Sequence, residues 1–107
     1  MAFDALDLSL ALVPQLRPAH ARLVAHDPDL ARQLRRAAHS IALNLTEGRE
    51  RRGKDRAHLY RVAAGSAAET DAVLRLALGW GWIAPAEVAD ALATLDRVRA
   101  MLYRLTR

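Results

Sequence analysis

The sequence predicts an all-α protein with an antiparallel up-down-up-down four-helix bundle, and three observations lead to this fold class. Alanine and leucine supply 41 of the 107 residues, whereas Phe, Tyr and Trp supply only five, so the core must consist of small and aliphatic side chains at helical spacing. Four segments of roughly twenty residues show helical periodicity, and clusters with proline or glycine separate them. Because the connections are short, consecutive helices should be antiparallel neighbours, and we expect residues 1–107 to form one domain.

The first segment carries an apolar stripe whose members are three or four residues apart. Pro14 and Pro18 interrupt it. Because proline lacks the N–H group that a helix interior uses, we expect a kink or a late start there. The predicted stripe consists of Phe3, Leu6, Leu10, Val13, Leu16, His20 and Leu23.

The second segment has clearly marked ends. Asp27 is a typical N-cap, and Pro28 suits the first helical position, where no N–H group is needed. Gly48 is typical of the residue that follows the last helical turn. The predicted core stripe consists of Leu30, Leu34, Ala37, Ala38, Ile41 and Leu45.

The third segment runs from about residue 55 to residue 78, and the fourth begins near Pro85. The spacing of the fourth stripe is close to 3.5 residues, which suits left-handed bundle packing. The third stripe consists of Leu59, Val62, Ala63, Val73, Leu74 and Ala77, and the fourth of Val88, Leu92, Leu95, Val98, Leu102 and Leu105.

A polar seam accompanies the apolar stripe of the second helix, and matching polar residues lie on and beside the stripe of the third. Facing each other in an antiparallel pair, these residues would form a buried hydrogen-bond network that fixes the register of the two helices. We favour this structural interpretation, and a ligand pocket is the alternative. The predicted network consists of Arg36, Ser40, Asn44, Glu47, Ser66, Glu69 and Thr70.

Two further features lie outside the predicted core. The back of the third helix is rich in alanine, and this face is either solvated or packed against another subunit. Trp80 and Trp82 are interpreted as caps on one end of the bundle rather than as a platform for stacking bases. The alanine face consists of Ala57, Ala64, Ala68 and Ala72.

The usual catalytic and metal-binding patterns are missing from the sequence. The chain has no cysteine, which excludes a disulfide scaffold and a thiolate zinc site. Its four histidines are not spaced three or four residues apart on one helix, and its serines lie outside any G-x-S-x-G turn. We therefore expect no catalytic residues, no metal and no cofactor, and hence a protein that is not an enzyme.

The sequence also argues against a membrane protein. The longest stretch without a charged residue, 76–86, has eleven residues, whereas a membrane span needs about twenty. Asp4 and Asp7 occupy the start of the chain, where a secretory signal would carry Lys or Arg. We expect a cytoplasmic protein without a membrane partner.

The positive charge is concentrated in one part of the chain. The net charge is +4 overall but +6 between Arg17 and Arg61. Fifteen of the sixteen basic residues are arginine; because a GC-rich genome produces the same excess, composition alone does not indicate nucleic-acid binding. The densest run, 49–56, falls between the second and third helices and contains no aromatic residue, which favours contacts to a phosphate backbone over reading of bases.

The leading hypothesis is a non-enzymatic homo-oligomer that binds structured RNA or another nucleic acid through this basic loop. The alternative is a scaffold for protein partners, in which the arginines only solubilise the chain. The candidate nucleic-acid-binding residues are Arg49, Arg51, Arg52, Lys54 and Arg56, with support from Arg32 and Arg35.

Residues 33–83 resemble the small four-helix-bundle family of bacterial 23S rRNA intervening-sequence proteins. The family pattern is Q-L-R-R-A-x-x-S-I-x-x-N-I-x-E-G, followed by A-x-G-S-x-x-E-T and an L-G-x-I turn. The turn is less faithful here, with G-W-G-W-I in its place, and Leu45 stands where the family prefers isoleucine. The matching residues are Gln33, Leu34, Arg35, Arg36, Ala37, Ser40, Ile41, Asn44, Glu47 and Gly48, then Ala63 or Ala64, Gly65, Ser66, Glu69 and Thr70.

The resemblance implies an up-down bundle that assembles into a homopentameric ring or barrel. It also implies kinship with the accessory proteins of diversity-generating retroelements, which are thought to bind nucleic acid and a reverse transcriptase. Members of the intervening-sequence group have no established activity, so the resemblance indicates the fold with more authority than the function.

Overall fold

The computed structural model describes residues 2–107, with side chains from Asp4 onward. Within these residues there are four α-helices and no strand, which confirms the predicted all-α class. Phe3, the first member of the predicted stripe, lies outside the residues whose side chains are described. The helices are α1 (Ala2–His26), α2 (Pro28–Arg49), α3 (Gly53–Trp80) and α4 (Pro85–Leu105).

The helices form a bundle of 42 × 23 × 20 Å in which α1, α2, α3 and α4 follow one another around the axis and α4 returns to α1. Gly48, near the end of α2, lies against Tyr60, near the start of α3. Arg22, near the end of α1, binds Glu87 at the start of α4. In each pairing the end of one helix lies beside the start of the other, so the paired helices are antiparallel. The bundle is therefore up-down-up-down, as predicted.

The core follows the predicted stripes in α2 and α4 and departs from them in α1. Leu6, Leu16 and Leu23 are buried as expected, but Leu10 is 55% exposed and Val13 is 41% exposed. The stripe that α1 buries continues instead through Ala5, Ser9, Leu12 and Ala19. The predicted stripe and the buried stripe both have helical spacing, so periodicity alone could not distinguish them. The small residues Ala5, Ser9 and Ala19 of the buried stripe also contribute little hydrophobicity to the sequence pattern.

The core of α3 also differs from the prediction, most clearly in its first turns. Val62 lies on the surface, with 36% exposure, whereas Tyr60 is buried at 4%. Tyr60 was missed because an amphipathic aromatic side chain at the start of a helix has no preferred side until the neighbouring helix is in place.

The prolines of α1 do not delay the helix, so of the two expected outcomes, a kink or a late start, the late start is wrong. The helix is continuous from Ala2 to His26 with Pro14 and Pro18 inside it. Both prolines are exposed on the outer side, where water can solvate the carbonyl groups that lose their helical N–H partner. Packing of the inner face against α2 and α4 then holds the helix together.

The start of α2 is as predicted, but its end is not. Asp27 Oδ1 accepts a hydrogen bond from the Leu30 N–H at 3.1 Å, which confirms the N-cap. Gly48 does not follow the helix; it is a buried residue inside its last turn. A Cβ atom at this position would lie 2.6 Å from Tyr60 Cε1 and 2.8 Å from Cδ1, so glycine is needed here for the close approach of α3.

The turn between α3 and α4 ends one helix and covers the end of the bundle. Gly81 has a φ of 76°, its N–H bonds to the Leu78 carbonyl, and the N–H of Trp82 bonds to the Ala77 carbonyl, which is the Schellman arrangement. The Trp82 ring stacks between His26, with centroids 5.4 Å apart, and Trp80, 5.5 Å away. Trp82 packs against the core, whereas Trp80 is 69% exposed.

Two carboxylates tie α4 to its neighbours. Asp71 is buried, accepts a hydrogen bond from Arg75 Nε at 2.6 Å and lies 3.9 Å from the guanidinium of Arg99 on α4; this hydrogen bond raises the pKa of Arg75. Glu87 accepts hydrogen bonds from the Ala84 N–H at 2.9 Å and from Arg22 Nε at 3.2 Å. These two bonds lower the pKa of Glu87 below its usual range.

We predict that Gly48→Ala destabilises the protein by about 1–2 kcal/mol, because overpacking against the buried Tyr60 ring outweighs the helix-propensity gain of alanine. The matched control is Gly65→Ala, since a Cβ at Gly65 meets nothing within 4 Å, and it should stabilise the helix by roughly 0.5–1 kcal/mol. Urea unfolding of both variants measures the difference. Equal effects of the two substitutions would contradict the close approach of α2 and α3.

We predict that Glu87→Gln lowers stability at neutral pH and loses this effect in acid. The folded-state pKa of Glu87 is lowered, so its stabilising contribution is present above the ordinary glutamate pKa and disappears as the pH falls through the lowered value. Unfolding free energies of wild type and variant at pH 7 and near pH 3 test this. Asp7→Asn, at an exposed carboxylate of α1 outside the contacts of Glu87, is the control and should lower stability less at pH 7.

Candidate nucleic-acid interface and polar seam

The basic run predicted as a loop is mostly helical. Only residues 50–52 connect α2 and α3, so Arg49 belongs to the last turn of α2, and Lys54 and Arg56 belong to the first turn of α3. Gly53 starts α3 with a φ of 57°, which turns the chain sharply. The run therefore forms a tight corner, which we call the α2–α3 corner (residues 49–56).

The five cations of the α2–α3 corner do not have equal roles. The guanidinium of Arg56 donates to two C-terminal carbonyls of α2, those of Gly48 at 3.2 Å and Arg49 at 2.9 Å, and so helps to satisfy the end of that helix. Arg51 donates to Glu47 at 3.3 Å on the exposed surface, where such a pair contributes little. Arg51, Arg52 and Lys54 are exposed and point their charge to solvent more fully than Arg49, which is half-buried, or Arg56.

The structure does not bring Arg32 and Arg35 to this corner. They lie in the first half of α2, and the seventeen residue steps from Arg32 to Arg49 span about 25 Å of helix. Arg32 binds Asp29 one turn before it, and Arg35 lines a groove between α1 and α2. The predicted nucleic-acid-binding residues therefore form two separate groups.

Two cations that the sequence interpretation missed lie at the same end of the bundle as the α2–α3 corner. α4 runs antiparallel to α3, so its last turn, with Arg104, and the final residue Arg107 come to this end. The Arg107 guanidinium lies 5.1 Å from the centre of the Tyr103 ring. The sequence interpretation did not include these two cations because they are far from residues 49–56 in sequence. The predicted up-down order could have revealed them, because it places the end of α4 beside the start of α3.

The polar seam forms between α2 and α3, but with fewer members than predicted. Ser66 Oγ donates to Ser40 Oγ at 2.7 Å, and Asn44 Nδ2 donates to the Ser40 hydroxyl at 3.0 Å and to its carbonyl at 2.8 Å. Thr70 is fully buried and bonds to the Ser66 carbonyl at 2.8 Å. The Ser40–Ser66 bond is the one link of the seam that crosses between side chains of the two helices in the described part of the chain.

The three charged residues of the predicted network lie outside it. Glu47 points to the exposed Arg51. Arg36 and Glu69 stand on opposite walls of a shallow groove of about 610 Å³ above the seam, and they are exposed. Arg36 and Glu69 remain at the surface because burying an unpaired charge costs free energy when the seam offers no oppositely charged partner.

The seam offers hydrogen-bond donors and acceptors but no assembled catalytic group. The hydroxyls of Ser40 and Ser66 bond to each other, and the described contacts include no bond from either to a histidine or a carboxylate. Over residues 4–107, no three His, Asp or Glu side chains converge as they would to hold a metal ion. None of the described helices combines the length and apolar character needed to cross a membrane.

Comparisons with known proteins agree with the observed four-helix fold. The model of the family described as 23S rRNA-intervening sequence protein matches residues 8–104. The crystal structure of a protein with unknown function from the S23 ribosomal protein family of Bacteroides thetaiotaomicron VPI-5482 superposes with a TM-score of 0.83. The two chains are 19% identical over 96% of this chain and 98% of that chain, a level at which the likeness shows the fold alone.

No curated protein matches the chain. Neither the family description nor that of the similar structure names an enzyme. The family match covers nearly the whole chain and includes both halves of the polar seam, Ser40 and Asn44 on α2 and Ser66 and Thr70 on α3. The chain therefore belongs to the family of 23S rRNA-intervening sequence proteins.

Proposed function

We propose that this protein is a non-enzymatic, cytoplasmic homo-oligomer that binds structured RNA, or another structured nucleic acid, through its α2–α3 corner. The observation that carries the proposal is the exposure of Arg51, Arg52 and Lys54 at one tight corner of a rigid bundle. Arg104 and Arg107 at the same end add to the positive potential. The description of the family, which refers to 23S rRNA, supports RNA as the ligand.

The chemistry of the corner favours phosphate contacts over base recognition. Guanidinium groups bind phosphate oxygens in a bidentate manner, and the corner contains no aromatic side chain on which a base could stack. Helical ends hold these groups in place, because Arg56 bonds to the end of α2 and fixes the turn. Binding should therefore depend on the shape of the nucleic acid and on salt rather than on its sequence.

Oligomerisation would strengthen such a site. One corner carries five cations against Glu50 and Asp55, which is a modest field for a single subunit. In a ring whose subunits point the same way, as in the pentamer that the family resemblance implies, each subunit would add its corner to one rim. The summed potential would then bind a structured RNA along several phosphates.

The alternative function is a scaffold for protein partners, and a reverse transcriptase is the partner that the family resemblance implies. The exposed Trp80 and Leu76, at 69% and 52%, favour this alternative, because large apolar side chains on a surface often mark a docking site. In this case the arginines of the corner would only keep the protein soluble.

We predict that Arg51→Ala/Arg52→Ala weakens binding to a structured RNA hairpin and reduces its salt dependence. Loss of two phosphate contacts should lower the slope of log K against log salt by about 1.5–2. Fluorescence anisotropy at several potassium concentrations measures both quantities. Thermal unfolding should be little changed, because both side chains are exposed.

The matched control is Arg32→Ala/Arg36→Ala, which removes the same charge from exposed positions in the first half of α2, about 20–25 Å away along the helix. We expect this variant to keep most of the wild-type affinity. Equal losses in the two variants would show that only net charge matters, and unchanged binding in the corner variant would favour the scaffold.

We predict that the protein is a homo-oligomer, with the mass of a pentamer, at micromolar concentration. Light scattering coupled to size-exclusion chromatography gives the mass without a shape assumption. A mass of one chain, 11.8 kDa, would overturn this part of the proposal while leaving RNA binding by the single subunit to be decided by the anisotropy experiment.

A further inference from the structure

A second heptad-spaced stripe on α1 has no partner within the bundle. Leu10, Val13 and Val24 are 55%, 41% and 50% exposed, and Arg17 and His20 lie between them at the same three- and four-residue steps. An apolar stripe with this spacing is the usual contact surface for another helix. We call this surface the α1 stripe, and it extends about 21 Å along the helix.

The middle of the α1 stripe opens into a groove with an apolar floor and a positive rim. The groove, of about 290 Å³, lies between α1 and α2, and Leu16, Leu34 and Ala38 form much of its floor. The rim contains no carboxylate. Its basic side chains, none of which forms an ion pair within the described part of the chain, are Arg17, His20, Arg35 and His39.

The α1–α2 groove should bind a partner surface that carries carboxylates beside apolar side chains. Arg17 and Arg35 beside this apolar floor carry positive charge that no ion pair within the described part of the chain compensates. A phosphate backbone would satisfy the charge but leave the floor uncovered. An acidic helix with small apolar side chains satisfies both, because it can lie close to the floor and place its carboxylates on the rim.

The outer face of α4 has these properties over its first three turns, before the exposed Arg97 and Arg99 follow on the same helix. Its exposed stripe steps by three and four residues, like the α1 stripe, and has the same length of about 21 Å. Between Arg75 and Arg97 the chain has no basic residue, whereas Asp90 and Asp96 are exposed there. We call this surface the α4 stripe, and its members are Ala86, Ala89, Ala93, Asp96 and Ala100.

We propose that the α4 stripe of a second copy of this chain docks on the α1 stripe and its basic groove. Large side chains of one stripe meet alanines of the other, and either helix direction brings Asp90 or Asp96 within about one turn of Arg17. This inference rests on the homo-oligomer proposed above and names the surfaces that build it. The alanine face predicted on α3 serves less well, because Ala57, Ala64 and Ala68 are half-buried within their own bundle.

The two surfaces lie on different sides of one subunit, so the contact is head-to-tail. A head-to-tail contact repeats from copy to copy until it closes a ring or continues as a filament. A head-to-tail contact also differs from a two-fold contact in that each copy uses two different surfaces. A copy with a damaged groove therefore still has an intact α4 stripe, and a copy with a damaged α4 stripe still has an intact groove. One copy of each kind can therefore form a single contact with the other, and the assembly stops at two chains.

This property gives the experiment. Arg17→Glu/Arg35→Glu reverses the charge of the groove, and Ala89→Lys/Ala93→Lys places long cationic side chains on the α4 stripe. All four positions are exposed, and glutamate and lysine both suit a helix. We expect each variant alone to have the mass of one chain by analytical ultracentrifugation, and an equimolar mixture of the two to have the mass of two.

The control is Arg52→Glu/Lys54→Glu at the α2–α3 corner, which should keep the wild-type mass. Circular dichroism verifies the helical fold of each chain, and the single substitutions Arg35→Glu and Ala93→Lys give the same test with fewer changes. A wild-type mass in either docking variant, or a mixture that stays monomeric, overturns the proposal. A monomeric wild type overturns the proposed homo-oligomer as well, so the two failures are distinct.

Discussion

The close approach of α2 and α3 is the constraint on which the rest of the structure depends. Near the corner, Gly48 lets the Tyr60 ring lie where any side chain would collide with it. Two turns away, the Ser40–Ser66 hydrogen bond joins the same helices at 2.7 Å. Because a register shift would break both contacts, they fix how α3 lies along α2. This largest helix pairing in the bundle then determines which residues reach the corner and which remain on the flanks.

The corner and the polar seam are parts of one arrangement. The bonds from Arg56 to the end of α2 hold the turn that exposes Arg51, Arg52 and Lys54. The seam below it holds the two helices in register without involving those charges. The polar residues that identify the family therefore have a structural role, and the exposed cations can interact with a partner while the seam remains intact. This division explains why the seam contains hydroxyls and an amide but excludes Arg36, Glu47 and Glu69 from its hydrogen bonds.

The outer surface of the bundle is asymmetric in both charge and side-chain size. α1 presents Leu10 and Val13 next to Arg17, whereas α4 presents alanines next to Asp90 and Asp96. Neither stripe contributes to the core of its own subunit. Fully burying a Leu or Val side chain is worth about 1.5–3 kcal/mol relative to leaving it exposed, and the association proposed above would bury more of the half-exposed α1 stripe. The positive corner lies at one end of the bundle, where association along the flanks would leave it open.

The sequence by itself determined the all-α class, the number and order of the helices, the N-cap at Asp27, the core stripes of α2 and α4 and the family, because these depend on local patterns and on residue types at fixed spacing. Tertiary structure decided the rest. It selected Ser9 and Leu12 over Leu10 and Val13, because two stripes of equal period differ only in what they pack against. It turned Gly48 from an expected helix end into a point of close contact, since a backbone approach depends on both helices. It divided the predicted basic residues into two groups and brought Arg104 to the corner, because charges far apart in sequence become neighbours only through the topology of the bundle.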